Sequence, residues 1–229
     1  MQTQSTLQTS PFRPIAGNAR PLTPAMTHDL AGSIEMMGAP MAFLRNVEIY
    51  GEDEPADYIY KVVSGAVRTY KVLTDGRRQI GAFYLPGDIF GLESGDAHAF
   101  SAEAIADSKV LVVKRSALMA QAQRDGDVAR QLWNTTSCEL RRVQDHVLLL
   151  IKTAEERVVD FLLQMAERSQ TGNRVALPMS RQDIADYLGL TIETVSRTLT
   201  HLEESAAIEL PSARTVVLRN RGALGRLAA

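Results

Sequence analysis

The spacing of hydrophobic residues changes along this chain, and the first pattern is that of a β-sheet domain. In residues 57–115, short runs of alternating polar and apolar residues are separated by turn signals, Ser-Gly at 64–65, Asp-Gly at 75–76 and Pro-Gly-Asp at 86–88. Turns roughly ten to twelve residues apart with this alternation are typical of a small antiparallel barrel or jelly roll. The pattern therefore predicts a β-roll that ends near Arg115.

Beyond the β-roll the apolar period lengthens to that of an α-helix. Apolar or small residues follow one another at alternating steps of three and four for nearly three heptads. We expect this stripe to be the seam of a coiled-coil homodimer, although a helix that lies on the β-roll would need an apolar stripe as well. The seam positions are Trp133, Thr136, Leu140, Val143, Val147, Leu150 and Ala154.

Residues 177–203 predict two short helices. Ser180 with Asp183 three residues later has the pattern of a capping box, and an apolar helical stripe follows. Gly189 ends that stripe, and Thr191 can cap the next helix. Two short helices joined by a glycine-containing turn form a helix-turn-helix.

The second of these helices has two different faces. Val195, Leu199 and Leu202 share one sector of the helix, and polar residues occupy the opposite sector. The polar face suits the major groove of DNA, because arginine matches the two acceptors of guanine and glutamate accepts from the amino group of cytosine. The alternative is an ordinary α-hairpin in which Glu193 and Arg197 form a surface ion pair. The predicted base-reading residues are Ile192, Glu193, Ser196 and Arg197, and the predicted phosphate or positioning contacts are Ser180, Thr191, Thr194, Thr200, His201 and Arg214.

A small hairpin follows the helix-turn-helix. Residues 207–220 contain two short apolar runs separated by Pro211 and Ser212, which predicts a winged form of the motif. Arg214 near the tip of this wing, with Arg219 and Arg221 after it, can contact the phosphate backbone or can simply be solvated.

Charge and cysteine content limit the function. The net charge is -2, and residues 171–229 hold seven Arg and Lys against six Asp and Glu. Any DNA-binding surface must therefore be local, which argues against a protein that coats DNA non-specifically. Cys138 is the single cysteine, so one chain has neither an intramolecular disulfide nor a CxxC metal site, and a reducing cytoplasm is expected. We find no signal-peptide pattern or membrane-length apolar run, so no membrane partner is expected.

The predicted fold class is α+β, in four regions. Residues 1–27 are rich in Gln, Thr, Ser and Pro and predict a flexible tail. The β-roll is expected at 28–126, the dimerisation helix at 127–153 and the winged helix-turn-helix at 154–229.

The order of these regions resembles the CRP/FNR superfamily of bacterial transcription regulators, over about residues 40–222. Glu193-Thr194-Val195-Ser196-Arg197 carries the E-x-x-S-R pattern of the FNR branch, and the run DIADYLGLTIETVSRTL looks most like its FixK-type members. The resemblance implies a dimer that reads double-stranded DNA, one arm of a TTGAT-N4-ATCAA palindrome per subunit. It also implies an activator that recruits RNA polymerase at promoters for low-oxygen respiration or nitrogen fixation.

The same resemblance assigns roles on the second helix. Glu193 and Arg197 would address the G·C pair of the half-site, Ser196 a neighbouring thymine, and Ile192 a thymine methyl group. FixK-type sequences often have cysteine at the position of Ser180, so a thiol-based sensitivity to oxidation at this place is not expected here.

Departures from the family concern its sensors. The N-terminal cysteines that hold the iron-sulfur cluster of FNR are missing. Where CRP has an Arg-Ser pair for the cyclic phosphate, this chain has Phe100-Ser101, so the phosphate would lose its charge-assisted partner. His28, His98 and the other two histidines show no haem-ligand motif. We therefore expect no cofactor and a regulator that is active without a small ligand.

Two alternatives stay open at this point. A ligand-gated regulator or repressor of the same fold would bind haem or an unrecognised effector in the β-roll. A cupin-like enzyme would need clustered histidines and carboxylates in the roll, which offers only His98, and we therefore expect no enzyme.

Overall fold

The computed structural model describes residues 28–169 and 172–228. The expected flexible tail, residues 1–27, lies outside the described residues. The N-terminal half consists of α1 (His28–Met37), β1 (Ala39–Phe43), β2 (Glu48–Tyr50), β3 (Tyr58–Ser64), β4 (Val67–Val72), β5 (Arg78–Tyr84), β6 (Ile89–Phe90), β7 (Ser101–Ala104), β8 (Ser108–Lys114) and α2 (Arg115–Arg124). The C-terminal half consists of α3 (Gly126–Leu149), α4 (Ala154–Ser169), β9 (Arg174–Ala176), α5 (Arg181–Leu188), α6 (Ile192–Glu204), β10 (Ile208–Ser212), β11 (Thr215–Leu218) and α7 (Arg221–Leu227).

The eight N-terminal strands form two antiparallel sheets that pack face to face. The strand orders are β1-β8-β3-β6 and β2-β7-β4-β5. Alternate residues such as Val62, Val67 and Val110 are fully buried between the sheets. The predicted turns are present: Gly65 has φ 85°, and a side chain there would collide with Ser108. The predicted α+β class and β-roll are therefore confirmed.

Elements at both ends of this domain, including β1, α1 and α2, were not predicted. Strand β1 lies at the edge of its sheet, and almost all of its residues are exposed. Its sequence therefore lacks the alternation of a half-buried strand. The short helices α1 and α2 flank the roll, and among the side chains that the structure describes, Ile34 of α1 and Leu118 of α2 are fully buried. Leu118 is the buried residue of α2, and a single buried position is too weak a periodic signal to be read from the sequence.

The long helix α3 begins at a cap formed by Asp125 and ends at Leu149. A new helix, α4, starts after Thr153. The Thr153 N–H donates to the Glu156 carboxylate at 2.7 Å, and the Thr153 hydroxyl accepts from the Glu156 N–H. Thr153-x-x-Glu156 is a capping-box pattern, which marks a helix start in the sequence itself. The prediction of one helical seam that runs through Leu150 and Ala154 is therefore wrong.

The observed apolar stripe of α3 has a different C-terminal end. Leu150 is half-buried and faces Gly189, whereas Ala154 belongs to the next helix. Trp133, Leu140, Val143, Val147, Leu148 and Ile151 are all more than half exposed in the single chain.

The C-terminal elements share one apolar core with the roll. Phe161 and Leu162 of α4 are buried together with Val195 and Leu202 of α6. Ile80 and Phe83 of β5 belong to the same cluster, together with Ala66 and Ile105. The helix-turn-helix thus packs directly on the β-roll. No helix among the described residues has both the length and the apolar content that crossing a lipid bilayer requires.

Candidate DNA-binding interface

The first helix of the helix-turn-helix starts at the predicted capping box. The Asp183 N–H donates to the Ser180 hydroxyl at 3.1 Å, and the Ser180 N–H donates to the Asp183 carboxylate at 2.9 Å. The helix ends at Gly189, whose φ of 63° lies in the left-handed region. The Thr191 hydroxyl then accepts from the Thr194 N–H at 3.2 Å and caps α6. The predicted caps at Ser180, Gly189 and Thr191 are confirmed.

The two predicted faces of α6 are separated as the sequence pattern indicated. Val195, Leu199 and Leu202 are at most 3% exposed and pack into the core. The opposite face is open to solvent, since Glu193 and Arg197 are exposed there. On the same face, Ile192 and Thr200 are exposed, and Thr194 and Ser196 are half-buried.

The carboxylate of Glu193 is stabilised in its charged form. It lies in the first turn of α6, where its own backbone N–H and the Thr191 hydroxyl donate to it and lower its pKa, with a further contribution from the charge of Arg197. Glu193 is therefore a pure hydrogen-bond acceptor at neutral pH, which is the state that can accept from a cytosine amino group.

His201 and Ser180, two of the predicted positioning residues, have protein partners. His201 lies behind the reading face, with its Nε2 4.0 Å from the Glu155 carboxylate of α4. The Ser180 hydroxyl accepts the cap bond, but it keeps its own hydrogen for donation to a phosphate. Glu155 was not anticipated, because nothing in the sequence indicates that α4 and α6 approach each other here.

The wing is a three-stranded sheet of order β10-β11-β9, one strand more than the predicted hairpin. Arg214 is exposed in the turn between β10 and β11, and its carbonyl accepts from the Leu177 N–H at 2.9 Å, which fixes the turn. Arg219 forms an ion pair with Glu209 across the wing, so its charge is already partly compensated. Arg214 is thus the better placed of these two arginines for a phosphate.

Sequence reasoning missed the neighbour of α6 on the β-roll. The turn between β4 and β5 and the start of α6 line one open groove of about 890 Å³. Arg77 and Arg78 contribute to the roll side of the groove, and Ile192, Glu193 and Thr194 contribute to the α6 side. No local sequence signal identifies this approach, because the two elements are more than a hundred residues apart.

The interior of the β-roll is filled by aromatic rings. Tyr50, Tyr60 and Phe90 pack with centroid distances of 5.0–6.1 Å, and the His98 ring stacks on Tyr50 at 3.6 Å. Phe100 lies against the backbone of Gly81 and lines the cavity that remains. This cavity measures about 120 Å³, below the roughly 300–1,000 Å³ of small-molecule sites.

Two carboxylates also lie at this cavity. Glu93 and Glu139 line it, and burial raises the pKa of Glu139 despite the nearby Arg142 charge. The described residues contain no group of three or more His, Cys, Asp or Glu side chains that could hold a metal ion.

Comparison with known proteins places these features in a family. The model of the Crp-like helix-turn-helix domain matches residues 156–227, and that of the Cyclic nucleotide-binding domain matches residues 40–125. The Nitrogen fixation regulation protein FixK of Azorhizobium caulinodans is 56% identical over 200 residues, which are 85% of this chain and 81% of that protein. The Transcriptional activatory protein AadR of Rhodopseudomonas palustris is 42% identical over 165 residues, 70% of this chain and 69% of AadR.

A solved structure agrees with these matches. FixK2 from Bradyrhizobium japonicum superimposes with a TM-score of 0.82 at 56% identity, over 84% of this chain and 98% of that chain. The expectation that this is not an enzyme is confirmed, because these relatives are transcription regulators.

The match to a nucleotide-binding domain concerns the fold rather than the ligand. The cavity inside the roll does not fit a cyclic nucleotide, since its lining includes Phe100, Glu93 and Glu139 but no cationic side chain that could pair with a cyclic phosphate. The fold, the helix-turn-helix and the similarity to FixK all indicate the same family. The chain is a member of the CRP/FNR family of transcription regulators and is similar to the FixK proteins.

Proposed function

We propose that this chain is a homodimeric, sequence-specific DNA-binding transcription activator that works in the cytoplasm. The observation that carries the proposal is the exposed polar face of α6, because the opposite face is anchored in the core by Val195, Leu199 and Leu202. A helix held in this way can present its outer residues to the major groove as a rigid unit.

Base reading follows from the chemistry of that face. Arg197 donates to both acceptors of guanine, and Glu193, held ionised, accepts from the paired cytosine. Ser196 contacts a neighbouring thymine, and the half-exposed Ile192 packs on a thymine methyl group. The sequence of the site comes from the resemblance to the FNR branch, which implies a palindrome of the form TTGAT-N4-ATCAA with one half-site per subunit.

Phosphate contacts would fix the register of α6 on the duplex. Thr191 and Thr194 lie at the helix N-terminus, where the positive end of the helix dipole favours a phosphate. The wing residue Arg214 contacts the backbone outside the groove. The proposed set is Ser180, Thr191, Thr194, Thr200, His201 and Arg214, with His201 the weakest member because Glu155 lies beside it.

The exposed stripe of α3 supports the homodimer. Trp133 is 72% exposed and Leu140, Val143 and Val147 are 57–59% exposed in the single chain. A contiguous apolar stripe of this kind marks an interface, and heptad spacing suits the same helix of a second copy. The resulting two-fold axis would set two α6 helices one DNA turn apart, as a palindrome requires.

The protein is also proposed to have a polymerase partner, a set of target genes and activity without an effector. We infer that RNA polymerase is the second macromolecular partner, since AadR carries the name of a transcriptional activator. The similarity to FixK supports target genes of nitrogen fixation or low-oxygen respiration. The filled interior of the roll supports activity without a bound effector.

A ligand-gated regulator is the second candidate, and one observation favours it. Met37, Met41, Phe43 and Tyr58 line an apolar groove of about 620 Å³ beside β1, β3 and β8. This volume falls within the range of small-molecule sites.

A titration separates the two candidates. The purified protein, without added effector, is titrated at one fixed salt concentration against a labelled TTGAT-N4-ATCAA duplex and against the same duplex with its G·C pairs exchanged. Tight binding to the first and much weaker binding to the second supports the effector-independent activator. Equal binding to both duplexes would reject the proposed half-site or require an effector, and a screen of ligands would follow.

A further inference from the structure

Five charged side chains meet where the β-roll contacts the helix-turn-helix. Arg68 of β4 donates to Asp183 of α5 at 2.5 Å and to Glu103 of β7 at 3.0 and 3.1 Å. Arg78 of β5 donates to Asp183 at 2.7 Å and to Asp186 of α5 at 2.8 Å. Two strands of the roll are thereby bonded to the first helix of the helix-turn-helix. We refer to these five residues as the junction cluster.

The junction cluster is shielded from water. The side chains of Arg68 and Asp183 are 10% and 7% exposed, and that of Arg78 is 26% exposed. An ion pair in such surroundings is screened little, and removal of one partner leaves an uncompensated buried charge. Arg130 and Asp127 on α3, by contrast, form an ion pair at 2.8 Å whose side chains are 69% and 71% exposed. Pairs of that kind contribute little.

The carboxylate of Asp183 connects the cluster to the DNA-reading helix. One of its oxygens, Oδ1, accepts from both arginines, and the other, Oδ2, accepts from the Ser180 N–H of the capping box. The same group therefore starts α5 and bonds it to the roll. Because α5 continues through the tight turn at Gly189 into α6 and the two helices share buried contacts, the position of α5 sets that of α6.

We propose that Arg68 and Arg78 are positioning residues for DNA reading. Through Asp183 and Asp186 they hold α6 in one orientation relative to the roll and to α3, so that the two reading helices of the dimer are placed by protein contacts alone. This inference rests on the proposed function of α6. It adds to that function two residues of the β-roll that contact no base.

The test compares variants of Arg78, because Arg78 is the less buried of the two arginines and its loss leaves the bond from Arg68 to Asp183 in place. Arg78→Gln should weaken binding to the palindromic duplex about 5- to 150-fold, the usual range of coupling between separate sites. Arg78→Lys, which keeps the charge, should restore most of the affinity. Arg130→Gln removes an exposed arginine of the same pairing type and is the matched control, with no change expected.

The outcomes separate this inference from the proposed function. If the unaltered protein does not distinguish the two duplexes, the proposed function of α6 fails first. If it does distinguish them and Arg78→Gln binds as tightly as Arg130→Gln, the positioning role is wrong. A loss that Arg78→Lys fails to restore would also overturn it, since the cause would then be packing. Should Arg78→Gln not fold, Asp186→Ala removes the bond between Arg78 and Asp186 from the other side, and unchanged affinity in that variant would reject the inference.

Discussion

Truncation of one side chain in the α3 stripe should weaken the dimer by a predictable amount. Leu140 is 59% exposed in the single chain, and full burial of a leucine contributes about 1.5–3 kcal/mol. Burial of the exposed part in the dimer therefore contributes roughly 1–2 kcal/mol per chain, or about 2–4 kcal/mol for both chains. We expect Leu140→Ala to raise the dimer dissociation constant roughly 30-fold to almost 1,000-fold, at about 1.4 kcal/mol per factor of ten.

The assay is sedimentation equilibrium over a concentration series, followed by titration of palindromic DNA. Leu44→Ala is the matched control, since Leu44 is 70% exposed on the β-roll away from α3. Binding to the palindrome should become steeply concentration-dependent in Leu140→Ala and stay unchanged in the control. Equal dimer dissociation constants for the two variants would refute the assignment of this stripe to the interface.

Two more predictions concern acid sensitivity and DNA affinity. The ring of His146 stacks on Tyr187 at 4.1 Å, and burial lowers its pKa. The unfolded chain therefore binds a proton at this residue more readily than the folded chain does. The folded state has its full stability above about pH 6.5, the ordinary pKa of histidine, and loses stability as the pH falls below it. His146→Phe keeps an aromatic ring on Tyr187, and its melting temperature should fall less between pH 7.5 and pH 5.5 than that of the unaltered protein. An equal fall in both proteins would contradict the role of His146. Arg214→Ala should weaken binding to matched and mismatched duplexes alike and reduce the slope of log affinity against log salt by about 2, one for each subunit of the dimer. A loss confined to the matched duplex would mean that Arg214 reads a base.

Local patterns predicted those elements whose stability is decided within a few residues. Ser180 with Asp183, and Gly189, have the cap geometry that their residue types favour. Val195 and Leu202 are buried at the period of a helix. These features need no knowledge of the rest of the fold, because the partners are near in sequence.

The end of the α3 stripe could have been read correctly. Thr153 and Glu156 have the capping-box spacing, and this local start signal outweighs the continuation of the heptad to Ala154. A heptad pattern describes which residues share a face only while the helix is unbroken.

Contacts between distant segments had no such signal. The Arg68 and Asp183 side chains are bonded across 115 positions of sequence, and each residue alone has the character of an ordinary surface charge. Such pairs are established by the docking of the helix-turn-helix on the roll. The junction cluster and the groove beside α6 therefore required the structure.

Base reading by α6 is tested most directly by Arg197→Ala combined with an exchange of the G·C base pairs. Binding of both proteins is measured by fluorescence anisotropy on the TTGAT-N4-ATCAA duplex and on the duplex with its G·C pairs exchanged, at the same salt concentration. We expect Arg197→Ala to bind the matched duplex more weakly than the unaltered protein does, by about 1–3 kcal/mol per half-site. On the exchanged duplex, the two proteins should bind with almost the same affinity. Equal losses on both duplexes would show that Arg197 contacts only the backbone, and the account of how α6 reads DNA would be wrong.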